Sequence, residues 1–169
     1  MPDYRELIRK WTESLNLRKH PEGGSYAEIY RSPGIISAGE LKKSHFDKRC
    51  YMTSIYFMLE AGEVSKLHRL KSDEIWYFHA GSAVTIHQIL PDQTYQALKL
   101  GSDLEAGQQF QHVVTAGTWF GATVDDREKP ALVGCAVAPG FDFADFEMAE
   151  RDALLKQFPQ HRSLIEQLT

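Results

Sequence analysis

A histidine and a glutamate, His68 and Glu74, lie on either side of a short polar segment in a stretch that begins at Gly62 and ends at Gly81. Alternate side chains of an extended chain share a face. Two strands joined by a sharp turn at residues 71–73 would therefore place this imidazole and this carboxylate side by side in an apolar pocket. A carboxylate that bonds an imidazole fixes its tautomer and raises its basicity, so the pair predicts a general base.

The same two side chains are open to two other interpretations. Imidazole nitrogen and carboxylate oxygen are also metal ligands, although protein metal sites usually supply three or four ligands. A buried histidine–glutamate pair can also be structural only, because buried polar groups need hydrogen-bond partners. The residues by themselves leave the three interpretations open.

The composition is that of an ordinary globular protein. The chain has 169 residues, 43% of them hydrophobic and 25% charged, which predicts one domain with its own core. The formal net charge is −4 and the lysines and arginines are scattered. The absence of a basic patch argues against nucleic-acid and membrane partners.

The start of the sequence is charged and amphipathic, which is unlike a signal peptide, and no apolar segment approaches the length of a membrane span. Two cysteines, Cys50 and Cys135, are too few for a disulfide framework. We expect reduced thiols and a cytoplasmic protein, with one buried disulfide as the alternative.

The periodicity of the chain predicts an all-β core between helical flanks. Apolar residues at helical spacing predict an amphipathic helix over residues 3–15, packed on the outside of a sheet. Residues 149–158 and 160–168 read as two short helices separated by Pro159. Between the flanks, alternating segments bounded by turn residues predict strands of an antiparallel sandwich or barrel at 25–31, 51–59, 64–70, 75–79, 83–90, 94–100, 110–114, 118–124 and 131–138. We expect one domain over 1–169 with a barrel core at about 24–140, and a long loop at 32–49.

Several short segments together resemble a known family. Gly62, His68, Glu74 and Gly81 fit the first cupin motif, G-x5-H-x-H-x3-E-x6-G, with Leu70 in place of its second histidine. Residues 115–120 fit the centre of the second motif, with Phe120 in place of its histidine. Further segments are His20-Pro21-Glu22-Gly23-Gly24, Tyr30-Arg31-Ser32, Ser72-Asp73-Glu74-Ile75-Trp76, Ala116-Gly117-Thr118-Trp119 and Ala138-Pro139-Gly140-Phe141-Asp142-Phe143. This set is similar to an uncharacterised branch of single-domain cupins, the cupin family five type.

The resemblance implies a cupin double-stranded β-helix, that is, a jelly-roll barrel with an internal pocket for a small-molecule ligand, and usually a homodimer. A typical metal cupin holds its ion with three histidines and one carboxylate, and Leu70 and Phe120 stand in two of those positions. We therefore expect no cofactor, with a divalent metal at His68 and Glu74 as the less favoured alternative.

Candidate site residues follow from the motif register and from residue type. We predict His68, Glu74 and Tyr56 as catalytic residues, with Tyr26 and Tyr30 as other tyrosines of the right type and Asp142 as another partner for His68. The predicted ligand-binding residues are Trp76, Trp119, Phe120, Ser54, His20 and Glu22. Residues 20–24 are predicted to form a turn. If they have a function, we expect them to form a rim that closes over the ligand.

The sequence predicts function less sharply than fold. The favoured hypothesis is a small-molecule-binding cupin that acts as an isomerase or epimerase-like enzyme on a sugar or nucleotide-sugar, because cupin-shaped epimerases are similar in using a barrel histidine as base and a tyrosine as acid. The alternatives are a non-catalytic ligand-binding or sensory module, and a metal-dependent cupin with an incomplete ligand set.

Overall fold

The computed structural model describes residues 4–41 and 45–169. Within them lie helices α1 (Tyr4–Leu15), α2 (Arg151–Gln157) and α3 (Arg162–Gln167), with 3-10 turns at Phe143–Asp145 and Pro159–His161. The strands are β1 (Arg18–Lys19), β2 (Ser25–Arg31), β3 (Ile35–Ile36), β4 (Arg49–Cys50), β5 (Thr53–Leu59), β6 (Val64–Leu70), β7 (Asp73–Gly81), β8 (Val84–Ile89), β9 (Tyr95–Leu100), β10 (Gln111–Val114), β11 (Trp119–Val124), β12 (Ala131–Ala138) and β13 (Phe146–Met148).

Two antiparallel sheets face each other and form the barrel. The six-stranded sheet has the order β1-β2-β5-β12-β7-β10, and the five-stranded sheet has the order β13-β6-β11-β8-β9. Strands β3 and β4 form a separate small pair. Consecutive strands repeatedly fall in different sheets, which is the jelly-roll arrangement that the sequence predicts.

The turn between β6 and β7 moves the chain from one sheet to the other. Asp73 already belongs to β7, so the connection is Lys71 and Ser72 alone, shorter than the predicted turn at 71–73. The two strands are therefore not neighbours in a sheet. His68 and Glu74 face each other across the barrel interior instead of lying side by side.

The main core fills the space between the sheets. It contains Phe57, Trp76, Val84, Ile86, Phe120 and Val133, all at most 2% exposed. These residues come from alternate positions of β5, β7, β8, β11 and β12, as expected when one face of each strand turns inward.

The helices cover the outer faces of the two sheets. Ile8, Trp11 and Leu15 of α1 pack against Met58 and Leu132 on the back of the six-stranded sheet. Leu154, Phe158, Ile165 and Leu168, from the carboxyl-terminal helices, pack against Leu67, Ile89 and Trp119 on the back of the five-stranded sheet. No helix among the described residues is long and apolar enough to cross a bilayer.

The predicted all-β class, the flanking helices and all nine predicted strands are confirmed, with ends that shift by a few residues. Residue 3 of the predicted helix and residues 42–44 of the predicted loop lie outside the described residues. The sequence did not predict β1, β3, β4 and β13. These strands have two or three residues, which is too short for an alternating pattern to be recognised.

An irregularity in β6 sets the direction of His68. Where β6 pairs with β11, Phe120 lies opposite His68 and Ala122 lies opposite Ser65. Strand β6 therefore has one extra residue between these two pairs. Such a bulge brings Ser65 and His68 to the same face although their numbers differ in parity. Gly121 lies opposite, where a Cβ atom would be 2.6 Å from the Ser65 carbonyl oxygen.

The turn at residues 20–24 packs closely against the barrel. Gly23 has φ of +108°, and a Cβ atom there would lie 2.2 Å from the carbonyl oxygen of Val64. The Lys66 amide donates to the Glu22 carbonyl oxygen at 2.8 Å. Only glycine permits this approach without strain, and it brings the Glu22 side chain into the barrel.

Candidate functional site

A cavity of about 410 Å³ lies between the two sheets. Its buried part contains four ionisable side chains, His20, Glu22, His68 and Glu74, which we call the polar cluster. Its more exposed part contains charged side chains and an aromatic wall. The other lining residues are Arg18, Tyr26, Glu28, Arg31, Thr53, Ile55, Phe57, Leu70, Cys135, Val137, Phe141, Asp142, Phe143 and Phe146.

The tautomer of His68 follows from its contact with the backbone. Its Nδ1 atom lies 2.7 Å from the carbonyl oxygen of Lys66. A carbonyl oxygen only accepts, so Nδ1 carries the hydrogen and donates it. In the neutral ring Nε2 then has a free lone pair, which makes Nε2 the basic atom of His68.

Glu22 approaches that basic atom. Its Oε2 lies 3.3 Å from His68 Nε2 and 3.4 Å from His20 Nδ1. Its Oε1 accepts a hydrogen bond of 2.9 Å from the Ser65 hydroxyl. The side chain is buried, and the bulge in β6 supplies two of its neighbours, Ser65 and His68.

Burial shifts the polar cluster toward uncharged forms. Loss of solvation raises the pKa of Glu22 to about 8, and the Ser65 hydrogen bond offsets this only in part. It lowers the pKa of His20 to about 4, assisted by the nearby charges of His68 and Arg18. It also lowers the pKa of His68, against the opposing effects of Glu74 and the Lys66 carbonyl. Near pH 7 a neutral imidazole therefore faces a neutral carboxylic acid.

Glu74 lies across the cavity without a direct bond to His68. Burial raises the pKa of its carboxyl group to about 7, partly opposed by His68. Its Oε2 atom is buried and has no hydrogen-bond partner among the described residues. The predicted His68–Glu74 hydrogen bond is therefore corrected, because the carboxyl group next to Nε2 belongs to Glu22.

The structure places four of the nine predicted site residues in the cavity, namely His20, Glu22, His68 and Glu74. Tyr56 and Ser54 do not line it. They alternate along β5 with Thr53, Ile55 and Phe57, which do, so they face the other side of the sheet. There Tyr56 packs near α1 and lies 5.6 Å from the His79 ring.

The three predicted aromatic ligand contacts are also corrected. Trp76 and Phe120 belong to the packed core, each 1% exposed, and do not line the cavity. Phe120 nevertheless supports the site, because its ring centroid is 4.1 Å from that of His68. Trp119 faces outward beneath the carboxyl-terminal helices, with the Arg69 guanidinium 4.5 Å above its ring.

The aromatic wall comes from a segment in which the sequence predicted only Asp142 as a site residue, and Asp142 lines the cavity too. We call residues 141–148 the aromatic strap. Phe141, Phe143 and Phe146 pack against one another with ring centroids 5.0–6.0 Å apart, and Phe143 stacks on His20 at 6.2 Å. The spacing of these three phenylalanines fits neither a helix nor a strand. Three phenylalanines within eight residues were nevertheless a signal in the sequence for a cavity wall.

Strand β2 supplies three further lining residues, of which the sequence named only Tyr26 as a candidate. Tyr26 and Glu28 line the cavity as alternation predicts, but the register shifts between Glu28 and Tyr30, and Arg31 is the next residue of β2 to line it. Tyr26 lies edge-on to His20 at 4.7 Å, and the Arg18 guanidinium is 4.9 Å from its ring. Tyr26 is thus the tyrosine in the cavity, in the place where the sequence favoured Tyr56.

The donor set does not fit the metal of a typical cupin. Leu70 lines the cavity and Phe120 packs on His68, each in a position where that site needs a histidine. Within residues 4–41 and 45–169, no group of three or more His, Cys, Asp or Glu side chains has the arrangement to hold a metal ion.

Comparisons with known proteins agree with the fold described above. The family model described as "Cupin superfamily (DUF985)" matches residues 9–149. The chain belongs to this cupin family. An uncharacterised protein of Saccharomyces cerevisiae is 27% identical to this cupin over 92% of the chain and 82% of its own length.

Solved structures agree with this assignment. A protein of Shewanella oneidensis, solved by X-ray crystallography, has 42% identity to this cupin and a TM-score of 0.84, with 95% of each chain covered. A hypothetical protein of Leishmania major has 35% identity and a TM-score of 0.87, with 95% of this chain and 97% of that chain covered. Oxalate decarboxylase of Bacillus subtilis has 14% identity and a TM-score of 0.54, over 89% of this chain and 36% of that one, which shows a shared fold alone.

Proposed function

We propose that this cupin binds a small hydroxy-carbonyl compound, such as a sugar, and acts on it as an isomerase or epimerase by moving a proton next to the carbonyl group. The observation that carries the proposal is the buried His68, whose Nδ1–H is held by the Lys66 carbonyl so that Nε2 is the basic atom. His68 would remove the proton as a general base.

The size and polarity of the cavity support a sugar-like ligand. A volume of about 410 Å³ lies in the range of roughly 300–1,000 Å³ typical of small-molecule sites. Three of the four side chains of the polar cluster, His20, Glu22 and His68, are mainly uncharged near neutral pH, because burial raises the pKa of Glu22 to about 8, lowers that of His20 to about 4 and lowers that of His68. Uncharged donors and acceptors next to aromatic rings suit a neutral ligand with hydroxyl groups.

Exchange of a carbon-bound proton tests the proposal. We expect the native protein, incubated with a panel of keto- and aldo-sugars and nucleotide-sugars in deuterated water, to incorporate deuterium next to the carbonyl of one of them, as measured by NMR or mass spectrometry. His68→Gln should lower the rate by roughly 10²–10⁴-fold, the usual contribution of a general base.

The control for this experiment is His79→Gln, which removes an exposed histidine on the outer side of β7. It should exchange deuterium at the native rate. No exchange by the native protein across the panel, or full exchange by His68→Gln, would contradict the proposal.

One observation favours a second candidate function, a ligand-binding or sensory module without turnover. The basic Nε2 of His68 already has a neighbour within the protein, Glu22 Oε2 at 3.3 Å. A ligand would then stabilise the folded state without being changed, by mass action. A concentration-dependent rise in Tm with complete recovery of unlabelled ligand would favour this function over the isomerase.

A further inference from the structure

Glu22 and His68 make a contact that a lone general base does not need. The Glu22 Oε2 atom lies 3.3 Å from His68 Nε2, and both residues line the cavity. Since Lys66 fixes the Nδ1–H tautomer, the basic Nε2 atom lies 3.3 Å from a carboxyl group that burial keeps protonated near pH 7. The two side chains therefore hold one transferable proton between them, on Glu22.

We propose that Glu22 is a second catalytic residue, which donates a proton to the carbonyl oxygen of the ligand in the same step in which His68 removes a proton from the adjacent carbon. This inference rests on the proposed isomerase function. It assigns the acid role to a carboxyl group that lies outside both cupin motifs.

The step is balanced in atoms and charge. The carbon–hydrogen bond breaks and its proton goes to His68 Nε2, while its electron pair forms the new carbon–carbon double bond. The π electrons of the carbonyl group form the oxygen–hydrogen bond with the proton that leaves Glu22. The product is an enol between an imidazolium and a carboxylate, and reversal of the transfers at the neighbouring carbon completes the isomerisation.

The pairing explains how charge can develop in a buried site. A lone His68 would become a buried cation, which is costly without a partner. When Glu22 gives up its proton in the same step, the pair changes from two neutral groups into an ion pair and its net charge stays zero. The Ser65 hydroxyl, 2.9 Å from Glu22 Oε1, stabilises the carboxylate as it forms.

Tyr26 is the competing acid, since it is the tyrosine that lines the cavity. Its ring contacts are with His20 and Arg18, at 4.7 Å and 4.9 Å, and not with His68. Glu22 is adjacent to Nε2 itself, so the two can reach neighbouring atoms of one ligand. The turn at 20–24, held by Gly23 against Val64, fixes that position.

Four variants test the assignment on a ligand that the native protein exchanges. Glu22→Gln, which keeps the shape but cannot donate the acidic proton, should lower kcat for exchange by roughly 10²–10⁴-fold with little change in KM. Tyr26→Phe should retain most of the rate. Glu13→Gln is the matched control, since Glu13 lies on the exposed face of α1 and pairs with Arg9 outside the cavity. If Glu22→Gln exchanges at the native rate while His68→Gln does not, this inference is wrong and the proposed function stands.

A fifth variant covers the case in which Glu22→Gln does not fold. Ser65→Ala removes the one hydroxyl that lowers the pKa of Glu22. It should shift the basic limb of the pH profile of kcat upward, whereas a structural role of Ser65 would change stability and leave the profile in place. The pH profile of kcat depends on the groups that face Glu22. These are His20, Ser65 and His68, with Glu74 across the cavity.

Imidazole NMR of the ¹⁵N-labelled protein provides a readout that needs no substrate. His68 should be the Nδ1–H tautomer at pH 7, and its Nε2 shift should change in Glu22→Gln and not in Glu13→Gln. An Nε2–H tautomer, or an unchanged shift in Glu22→Gln, would overturn the inference even if the protein is an isomerase. No exchange by the native protein on any sugar overturns both proposals.

Discussion

Glu74 is a buried carboxylic acid whose Oε2 atom has no hydrogen-bond partner among the described residues. Burial raises its pKa from 4.5 to about 7. A group with a raised pKa in the folded state stabilises the protein below its unfolded pKa, and this contribution is lost as the pH rises through the folded value. Glu74 therefore makes the folded protein less stable as the pH increases from about 4.5 to about 7, and its contribution levels off at higher pH because the group is then ionised in both states.

Replacement of Glu74 should flatten this dependence. In Glu74→Gln we expect the free energy of unfolding to fall less between pH 5 and pH 8 than in the native protein, by up to about 1.4 kcal/mol per pH unit over the window of its titration. Urea unfolding at several pH values measures this. Glu13→Gln, on the exposed face of α1, should keep the native dependence. Equal dependence in Glu74→Gln and the native protein would mean that Glu74 ionises normally.

For the individual residues, the sequence predicted only part of the site. The motif register brought His68 and Glu74 to the cavity, because alternation along β6 and β7 is a local property. The Glu22–His68 contact depends on a distant turn packed onto a bulge, which no spacing in the sequence records. Tyr56 was assigned wrongly because the inward face of β5 is set by its neighbours in the sheet.

The aromatic strap, residues 141–148, is the element that covers the cavity, and a buried ion pair fixes it. Arg49 of β4 donates from Nε to Asp145 Oδ2 at 2.6 Å and from Nη2 to Asp145 Oδ1 at 2.8 Å. His45 and Lys71 lie within 3.7 Å of the same carboxylate. A two-pronged contact of this kind holds the strap in one orientation.

Loss of Arg49 should release the strap. Arg49→Met leaves Asp145 buried without its main partner, so we expect a loss of about 3–5 kcal/mol in the free energy of unfolding and faster hydrogen exchange at residues 143–148. Arg49→Met combined with Asp145→Leu should lose less, because no charge is then left behind. Arg162→Met removes an exposed pair with Glu166 and should cost less than about 1 kcal/mol. Equal losses in the Arg49 and Arg162 variants would rule out this role.

Whole strands were easier to predict than the aromatic strap and the Arg49–Asp145 ion pair that holds it. Long strands show a clear alternation, and all nine predicted ones are present. The strap instead combines a 3-10 turn, capped by the Asp142 side chain at 2.8 Å, with the three-residue strand β13. Neither is long enough to leave a periodic signal, so the sequence revealed only its unusual aromatic content.

On the scale of the molecule, one edge of the six-stranded sheet is open. Strand β1 pairs with the first two residues of β2 only, so residues 27–31 have no outer strand neighbour among the described parts of the chain. Around this edge lie exposed apolar side chains, 37–56% accessible: Ile29, Tyr30, Ile35, Tyr51 and Met52. Exposed strand edges with apolar side chains favour pairing with another chain.

We propose that a second copy of the chain covers this edge, which gives the homodimer that the sequence led us to expect. Sedimentation or light scattering should show a dimer at micromolar concentration, and Ile29→Asp should produce a folded monomer. Leu104→Asp, at an equally exposed leucine in the loop before β10, should remain dimeric. A native protein that sediments as a monomer, or a dimer unaffected by Ile29→Asp, would rule out this edge as the interface.

The bulge in β6 has a consequence that reaches beyond the cavity. The Leu67 amide donates to the Leu168 carbonyl oxygen at 2.7 Å, and the Ala149 amide donates to the Leu67 carbonyl oxygen at 2.8 Å. The backbone directly before His68 is thus tied to the last turn of the chain. Leu168 lies outside residues 9–149, the part matched by the family model. The position of this histidine therefore depends on the carboxyl-terminal residues as well as on the part of the chain that carries the family's signature.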